Sequence, residues 1–212
     1  MSAPFIELPV LAAELRARAD GPARLVLAIA GPPGSGKSTT AQVLADQLNA
    51  GVPGLAAVLP MDGYHYDDTY LVPMGMRARK GAPDTFDVAG FRHMLARLRA
   101  NDEPQVAVPV FDRSIEIARA GARMIAQSVK VLVVEGNYLL LQSDPWASLR
   151  PLFDLTVLID VPESTLRARL TERWVGYNLS AEEVAWKLDG NDLPNGRFVM
   201  AESASPDYRL AN

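Results

Sequence analysis

Six apolar residues in a row, Leu25-Val26-Leu27-Ala28-Ile29-Ala30, run straight into a glycine-rich stretch. A short unbroken apolar run is what a parallel strand presents when both its faces are covered. Similar runs at 55–61, 130–134 and 155–161 predict three more buried strands, ending at Asp62-Gly63, Glu135-Gly136-Asn137 and Asp160-Val161-Pro162. Segment 105–111 reads as a further strand, and its proline at 109 puts it at a sheet edge or on an excursion. Helical spacing fills the gaps. Ile6, Val10, Leu11 and Leu15 predict a short amphipathic helix, broken by Asp20-Gly21-Pro22. Further helices are expected over 37–48, from 87 to about 101 on Phe91, Leu95 and Leu98, and over 162–174 with Pro162 in its first turn. Ser180-Ala181-Glu182-Glu183 resembles a capping box that opens another. Residues 191–196 read as a turn by composition, and 197–201 as the last strand. Residues 64–86 show no periodicity, and an irregular loop of that length is usually functional. The alternation predicts an α/β fold with a doubly wound, mainly parallel sheet. With no repeat and no linker, one domain over 1–212 is expected.

The first chemistry lies directly after the first apolar run. Gly31-Pro32-Pro33-Gly34-Ser35-Gly36-Lys37-Ser38 fits the whole G-x-x-x-x-G-K-[ST] pattern, between a strand and a helix as that pattern requires. Its glycines let backbone N–H groups approach an anion, and the helix N-terminus adds its dipole. Lys37 brings a compact positive charge to the β- and γ-phosphates, Ser38 brings a hydroxyl to Mg²⁺, and Thr39 follows in the same turn. ATP and Mg²⁺ are the expected ligands; a glycine turn with a surface lysine would not need this setting. In open α/β sheets ligands bind beyond the carboxyl ends of the strands, where Asp62, Glu135 and Asp160 are expected. Glu135 ends a Walker B-like run and suits a place near Mg²⁺ or its waters. Asp62 suits accepting a proton from, or orienting, an attacking hydroxyl. Asp160, close to Pro162, is expected to cap a helix instead.

Composition narrows the function further. The 21 basic and 25 acidic residues leave a net charge of −4, which argues against non-specific nucleic-acid binding. The chain has no cysteine and two histidines, so disulfides, thiolate nucleophiles and Cys- or His-rich metal centres are excluded or disfavoured. No basic segment followed by an apolar one opens the chain, and no apolar run approaches the roughly 20 residues of a membrane-spanning helix. A cytoplasmic enzyme is the expectation. A homodimer is expected from the frequency of symmetric dimers alone.

The chain also resembles the uridine kinase, phosphoribulokinase and pantothenate kinase group of P-loop kinases. The resemblance rests on 31–38, Met61-Asp62-Gly63-Tyr64-His65, 79–87, Pro109-Val110-Phe111-Asp112 and Val134-Glu135-Gly136, in that order. It is most similar to a bacterial subgroup described as fructose transport system kinases. The resemblance implies a five-stranded parallel core and a mobile helical lid, at about 163–190. It makes Asp62 the acid that activates or positions the substrate hydroxyl, with Tyr64 and His65 in the substrate-facing turn. Arg79, Lys80, Asp84 and Phe86 would line the acceptor pocket, and Glu135 would be the Walker B acid. Arg167, Arg169 and Arg173 would lie on the lid helix over the phosphates, and Asn195 near the adenine. One departure stands out. Phe111-Asp112 continues into Arg113-Ser114-Ile115-Glu116 where uridine kinases tend to carry a histidine-containing loop, and Arg113 suits an anionic or polyhydroxylated acceptor. The remaining conspicuous residues have ordinary readings: His93 on a helix, Asp67-Asp68 solvating a loop, and Trp174, Tyr177 and Trp186 in the core. The expected function is phosphoryl transfer from ATP to a hydroxyl of a small metabolite. Sugars and their derivatives come first, then pantothenate-like acids and nucleosides; the alternative is a nucleotide-dependent switch or regulatory ATPase.

Overall fold

The computed structural model describes residues 3–212. Helix α1 (Leu8–Ala19) leads into β1 (Leu25–Ala30), followed by α2 (Lys37–Gly51), β2 (Ala56–Pro60), the one-turn α3 (Asp68–Leu71) and α4 (Val88–Ala100). An antiparallel hairpin follows, β3 (Gln105–Asp112) and β4 (Ile117–Ala126). Then come β5 (Val131–Gly136), β6 (Leu155–Asp160), α5 (Glu163–Gly176), α6 (Ala181–Lys187), α7 (Leu193–Glu202) and β7 (Tyr208–Ala211). Five strands form one parallel sheet in the order β2-β5-β1-β6-β7.

Two cores explain the unbroken apolar runs. Leu25, Leu27 and Ile29 point into one, with α1 and α2; Val26, Ala28 and Ala30 point into the other, with Phe91, Leu95 and Leu98 of α4. A strand covered on both faces has no solvent-facing positions to make polar. Among the described residues no helix is long and apolar enough to cross a membrane.

The hairpin stands off the sheet, as the proline in β3 implied, but β4 is an element the hydrophobic pattern does not reveal. Its sequence, Ile117-Ala-Arg-Ala-Gly-Ala-Arg-Met-Ile-Ala126, buries Ile125 alone. Pairing with β3 makes it a strand. Arg123 Nη1 anchors it by donating to the Val58 carbonyl at 2.5 Å.

The end of the chain corrects two expectations. Residues 191–196 are no turn and 197–201 no strand: a π-helical turn (Leu188–Asp192) runs directly into α7. Pro194 lies directly after that turn, in the first turn of α7, and lacks the N–H that would continue the helical ladder. Gly196 lies close enough to Pro32 that an added Cβ would stand 3.3 Å from it, so packing overrides composition. The last strand comes later, as four-residue β7, too short to show a pattern. Segment 64–86 is likewise ordered, as 3₁₀ turns around α3. Asp67 caps α3 by accepting from the Thr69 N–H at 2.8 Å, and Asp68 accepts from Arg77 and Lys80, so neither merely solvates a loop.

Arg24, fully buried just before β1, ties the outer layers to the sheet. It donates to the carbonyls of Val129, Leu98 and Ala126 at 2.9, 2.7 and 2.8 Å. Arg24→Ala removes the side-chain donor from all three carbonyls, of which Ala126 keeps the Val129 N–H, and is expected to destabilise the fold by roughly 3 kcal/mol. Urea denaturation measures this, and a loss below about 1 kcal/mol would contradict the role.

Candidate active site

Three adjacent strands deliver the chemistry to one crevice. In the register of the sheet Glu135 lies beside Ile29 of β1 and Pro60 of β2. Asp62 follows β2 by two residues and the glycine loop follows β1. Beyond these strand ends lies a cavity of about 200 Å³, lined among others by Lys37, Ser38, Asp62 and Glu135. The sheet order reverses around β1, the place where open α/β sheets bind ligands.

The loop itself is shaped for an anion. Gly34 and Gly36 have φ of +77° and +86°, a region costly for any other residue, and Gly36 is the N-cap of α2. The unpaired N–H groups of the first turn of α2 therefore face the cavity side of the loop. Lys37 is buried, and its Nζ donates to the Pro32 carbonyl of its own loop at 2.9 Å. Burial pushes its pKa down to about 8, against the opposing pull of Glu135 and Asp62. Ser35 Oγ is buried with no hydrogen-bond partner among the described residues. A buried ammonium and a helix N-terminus both fit a bound polyphosphate.

Ser38 Oγ donates to Glu135 Oε1 at 3.1 Å. These are hard oxygen donors, suited to Mg²⁺. Among the described residues no group of three His, Cys, Asp or Glu could cage a metal alone. That fits Mg²⁺, which usually binds through one or two carboxylates together with phosphates and waters. Burial raises the Glu135 carboxyl to about 7 from its ordinary 4.5, Asp62 adds to the rise and Lys37 opposes it. A carboxyl held above its unfolded value makes the fold lose stability as pH climbs from about 4.5 through about 7. Glu135→Gln is therefore expected to raise the unfolding temperature of the ligand-free protein at pH 8, by a gain on the order of 1 kcal/mol. The same variant should weaken Mg²⁺-dependent nucleotide binding. Thermal melts with and without Mg-ATP check both effects, and a lower apo melting temperature would contradict the burial argument.

On the other side of Asp62 lies an aromatic floor. The His65 ring packs on Phe86 and Phe111, with centroids at 4.1 and 4.7 Å, and its Nδ1–H donates to the Asp62 carbonyl at 2.8 Å. Burial pushes the His65 pKa down, favouring the neutral ring. Arg113, at the hairpin tip, forms an ion pair with the Asp62 carboxylate. Lys80, its side chain 5% exposed, donates to Asp68 Oδ1 and the Glu116 carbonyl, both at 2.7 Å, and stands 5.5 Å from the Phe111 ring centre. His65, Lys80, Phe86, Arg113, Arg173 and Asn195 all line the cavity, as do Pro33, Gly34, Gly36 and Thr39. Gly31, Pro32 and Ser35 support the loop from outside that lining.

Several expected site residues are elsewhere. Tyr64 packs on Phe91 at 4.7 Å between ring centres, because the 3₁₀ turn at 61–64 sends it into the core and His65 toward the site. Arg79 and Asp84 pair with each other on the surface at 3.3 Å. Arg167 is exposed and pairs with Asp189 at 2.6 Å. Arg169 and Arg173 share a face of α5: Arg173 lines the cavity, and Arg169 Nη1 lies 3.8 Å from where a Gly36 Cβ would be. Asp160 caps no helix; Pro162 is the N-cap of α5, and Asp160 pairs with Arg209 of β7. Asn195 sits in α7, donating to Asn191 Oδ1 at 3.0 Å, and not in a turn. Tyr177 and Trp186, expected in the core, are half exposed, while Trp174 lines the cavity.

Lining residues given no site role from the sequence include Arg77, Asn137, Lys187, Asn191 and Asp192. Asn137 could have been found, since it directly follows the Glu135-Gly136 strand end. The others carry no local signal.

Comparison with known proteins gives the family. Residues 26–173 match the family model described as Phosphoribulokinase / Uridine kinase family. A Schizosaccharomyces pombe relative, assigned by name only to uridine kinase, is 33% identical, covering 88% of this chain and 83% of its own. Escherichia coli YggC is 34% identical over 85% of this chain and 74% of its own. A Silicibacter crystal structure, assigned by name only as a fructose transport system kinase, superposes with a TM-score of 0.87 at 37% identity, covering 98% of this chain and 99% of that one. YFH7 of Saccharomyces cerevisiae, at 18% identity, shares the fold with a TM-score of 0.84 over 98% and 99%. The chain belongs to the phosphoribulokinase/uridine kinase family and is an ATP-dependent P-loop kinase of small molecules.

Proposed function

We propose that the chain transfers the γ-phosphoryl group of ATP to a hydroxyl of a sugar or sugar derivative. One observation carries this reading: Asp62 stands in a single cavity between the Lys37–Ser38–Glu135 group and the floor of His65, Phe86 and Phe111. A carboxylate between a phosphate cradle and a second pocket is what hydroxyl phosphorylation needs.

In this reading the glycine loop and Lys37 bind the triphosphate, and Lys37 leaves the Pro32 carbonyl to do so. Ser38 and Glu135 would hold Mg²⁺, which when bound would supply positive charge to offset that of the phosphates. Asp62 orients the acceptor hydroxyl and accepts its proton as the oxygen attacks phosphorus. Arg173 and Arg169 offset charge on the phosphates, and the segment at about 163–190 acts as the lid that excludes water. His65, Lys80, Phe86 and Arg113 shape the acceptor pocket; Arg113 exchanges its Asp62 partner for the acceptor. Positioning and charge neutralisation supply most of the catalysis in such transfers.

The test is ADP release from Mg-ATP against a panel of sugars, sugar acids, pantothenate and nucleosides. Release that depends on a sugar supports the proposal. Release independent of every acceptor would point to an ATPase or switch instead.

A further inference from the structure

The cavity wall facing the hairpin comes from the π-helical turn Leu188–Asp192 and the start of α7. Single π-helical turns recur at functional sites, because the extra residue redirects side chains. Here they bring Asp192, 8% exposed, and the part-buried Asn191 and Asn195 to the cavity. One Asp192 oxygen, Oδ2, accepts from the Trp174 indole N–H at 2.6 Å. The other, Oδ1, makes no hydrogen bond among the described residues. Asn191 and Asn195 spend one bond on each other, which leaves the Asn191 NH₂ and the Asn195 carbonyl oxygen free for a ligand. The Asn191 NH₂ lies 4.0 Å from where a Gly81 Cβ would be, so this wall faces the acceptor-side segment and not only the phosphate loop. Burial pushes the Asp192 carboxyl up, and the Trp174 bond, Arg173 and Lys187 counter it. The spare oxygen is not sealed from solvent, so a ligand donor can take the place of water there.

The opposite wall says which donor. On it Arg113 pairs with Asp62, while Arg77 and Lys80 share the single Asp68 carboxylate. An anionic acceptor reaching this part of the cavity would meet the Asp192 carboxylate. Hydroxyl groups meet no such repulsion and can both donate to Asp192 and bridge the two asparagines.

Resting on the kinase reading above, we propose that Asp192 is a specificity residue. Its free oxygen accepts a hydrogen bond from an acceptor hydroxyl, Asn191 and Asn195 bond further hydroxyls, and the site selects neutral polyols over their carboxylate- or phosphate-bearing counterparts.

Matched acceptors test this: neutral sugars, the corresponding aldonates and the corresponding sugar phosphates, with wild type and Asp192→Asn. Wild type should show ADP release stimulated by a neutral sugar. Asp192→Asn should raise the KM for that sugar roughly tenfold or more while the KM for ATP moves less than about twofold. It should also lower the preference for neutral sugar over aldonate by about tenfold, which a merely structural role would not do. Should that variant fold poorly, Asn191→Asp gives the converse reading, a sharpened preference for the neutral member. Stimulation by aldonates or sugar phosphates and not by neutral sugars overturns the assignment and leaves the kinase reading intact. So does an unchanged preference in both variants, or a change confined to the KM for ATP. ADP release indifferent to every acceptor overturns the kinase reading itself.

Discussion

Asp62→Asn is expected to lower kcat by roughly 10²–10⁴-fold. The affinity for Mg-ATP should change little, because the phosphate cradle is built from the glycine loop and α2, which Asp62 does not touch by any hydrogen bond. The amide keeps the shape of the carboxylate but has no basicity, so the acceptor hydroxyl would attack while still holding its proton. Arg113 loses its ion-pair partner in the same variant, and the acceptor KM should shift through that second route. Single-turnover kinetics separate the two effects. A variant with near-wild-type kcat would place the acid–base role elsewhere.

Lys37→Ala should damage both binding and turnover. The Lys37 ammonium is buried, rests on its own loop carbonyl, and lies close enough to Glu135 and Asp62 to feel both charges. Removing it deletes the one compact cation inside the cradle and leaves Glu135 without its nearest counter-charge. A loss of roughly 10²–10³-fold in kcat is expected from removing one preorganised charge-stabilising group, together with weaker Mg-ATP binding. Nucleotide titration by calorimetry gives the binding part. Unaltered affinity would mean that the loop N–H groups hold the triphosphate without the lysine. Lys37→Ala and Glu135→Gln should also behave differently in the ligand-free protein. The first removes a cation that partly satisfies Glu135, whereas the second removes the buried acid itself.

How much of this was legible in the sequence depended on whether local chemistry or distant packing placed each residue. β1, β5 and β6 are buried on both faces, so their apolar runs announced them. The glycine loop was legible because positive φ at Gly34 and Gly36 and an ammonium at Lys37 are demands of anion binding, whatever the surrounding fold. Asp62 and Glu135 followed from the rule that strand ends face the ligand. Helical spacing alone sets Arg169 and Arg173 on one face and Arg167 on another; of the three, Arg173 lines the cavity.

The failures share a cause. β4 owes its conformation to its partner β3, not to alternation, and its exposed Ala–Arg sequence shows neither apolar faces nor turn signals. In 188–202 the Asn-Asp-Pro-Asn-Gly composition favours a turn, yet packing of Gly196 on Pro32 and burial of Val199 hold a helix. That helix in turn sets Asn195 on the cavity, and the π-turn before it sets Asp192. Tyr64 and His65 differ by one position, and only the 3₁₀ turn decides which faces the core. Arg79 and Asp84 were placed in the pocket by resemblance, but their mutual ion pair turns both to solvent.

The central claim is phosphoryl transfer to a carbon-borne hydroxyl across Asp62. ³¹P NMR of the wild-type enzyme turning over Mg-ATP with a neutral sugar tests it directly, since each phosphorus atom reports its own chemical state. The γ-phosphorus signal should be replaced by a sugar phosphomonoester in step with ADP, and the conversion should collapse in Asp62→Asn. Conversion of the γ-phosphorus to inorganic phosphate alone, at a rate the sugar does not change, would contradict the account.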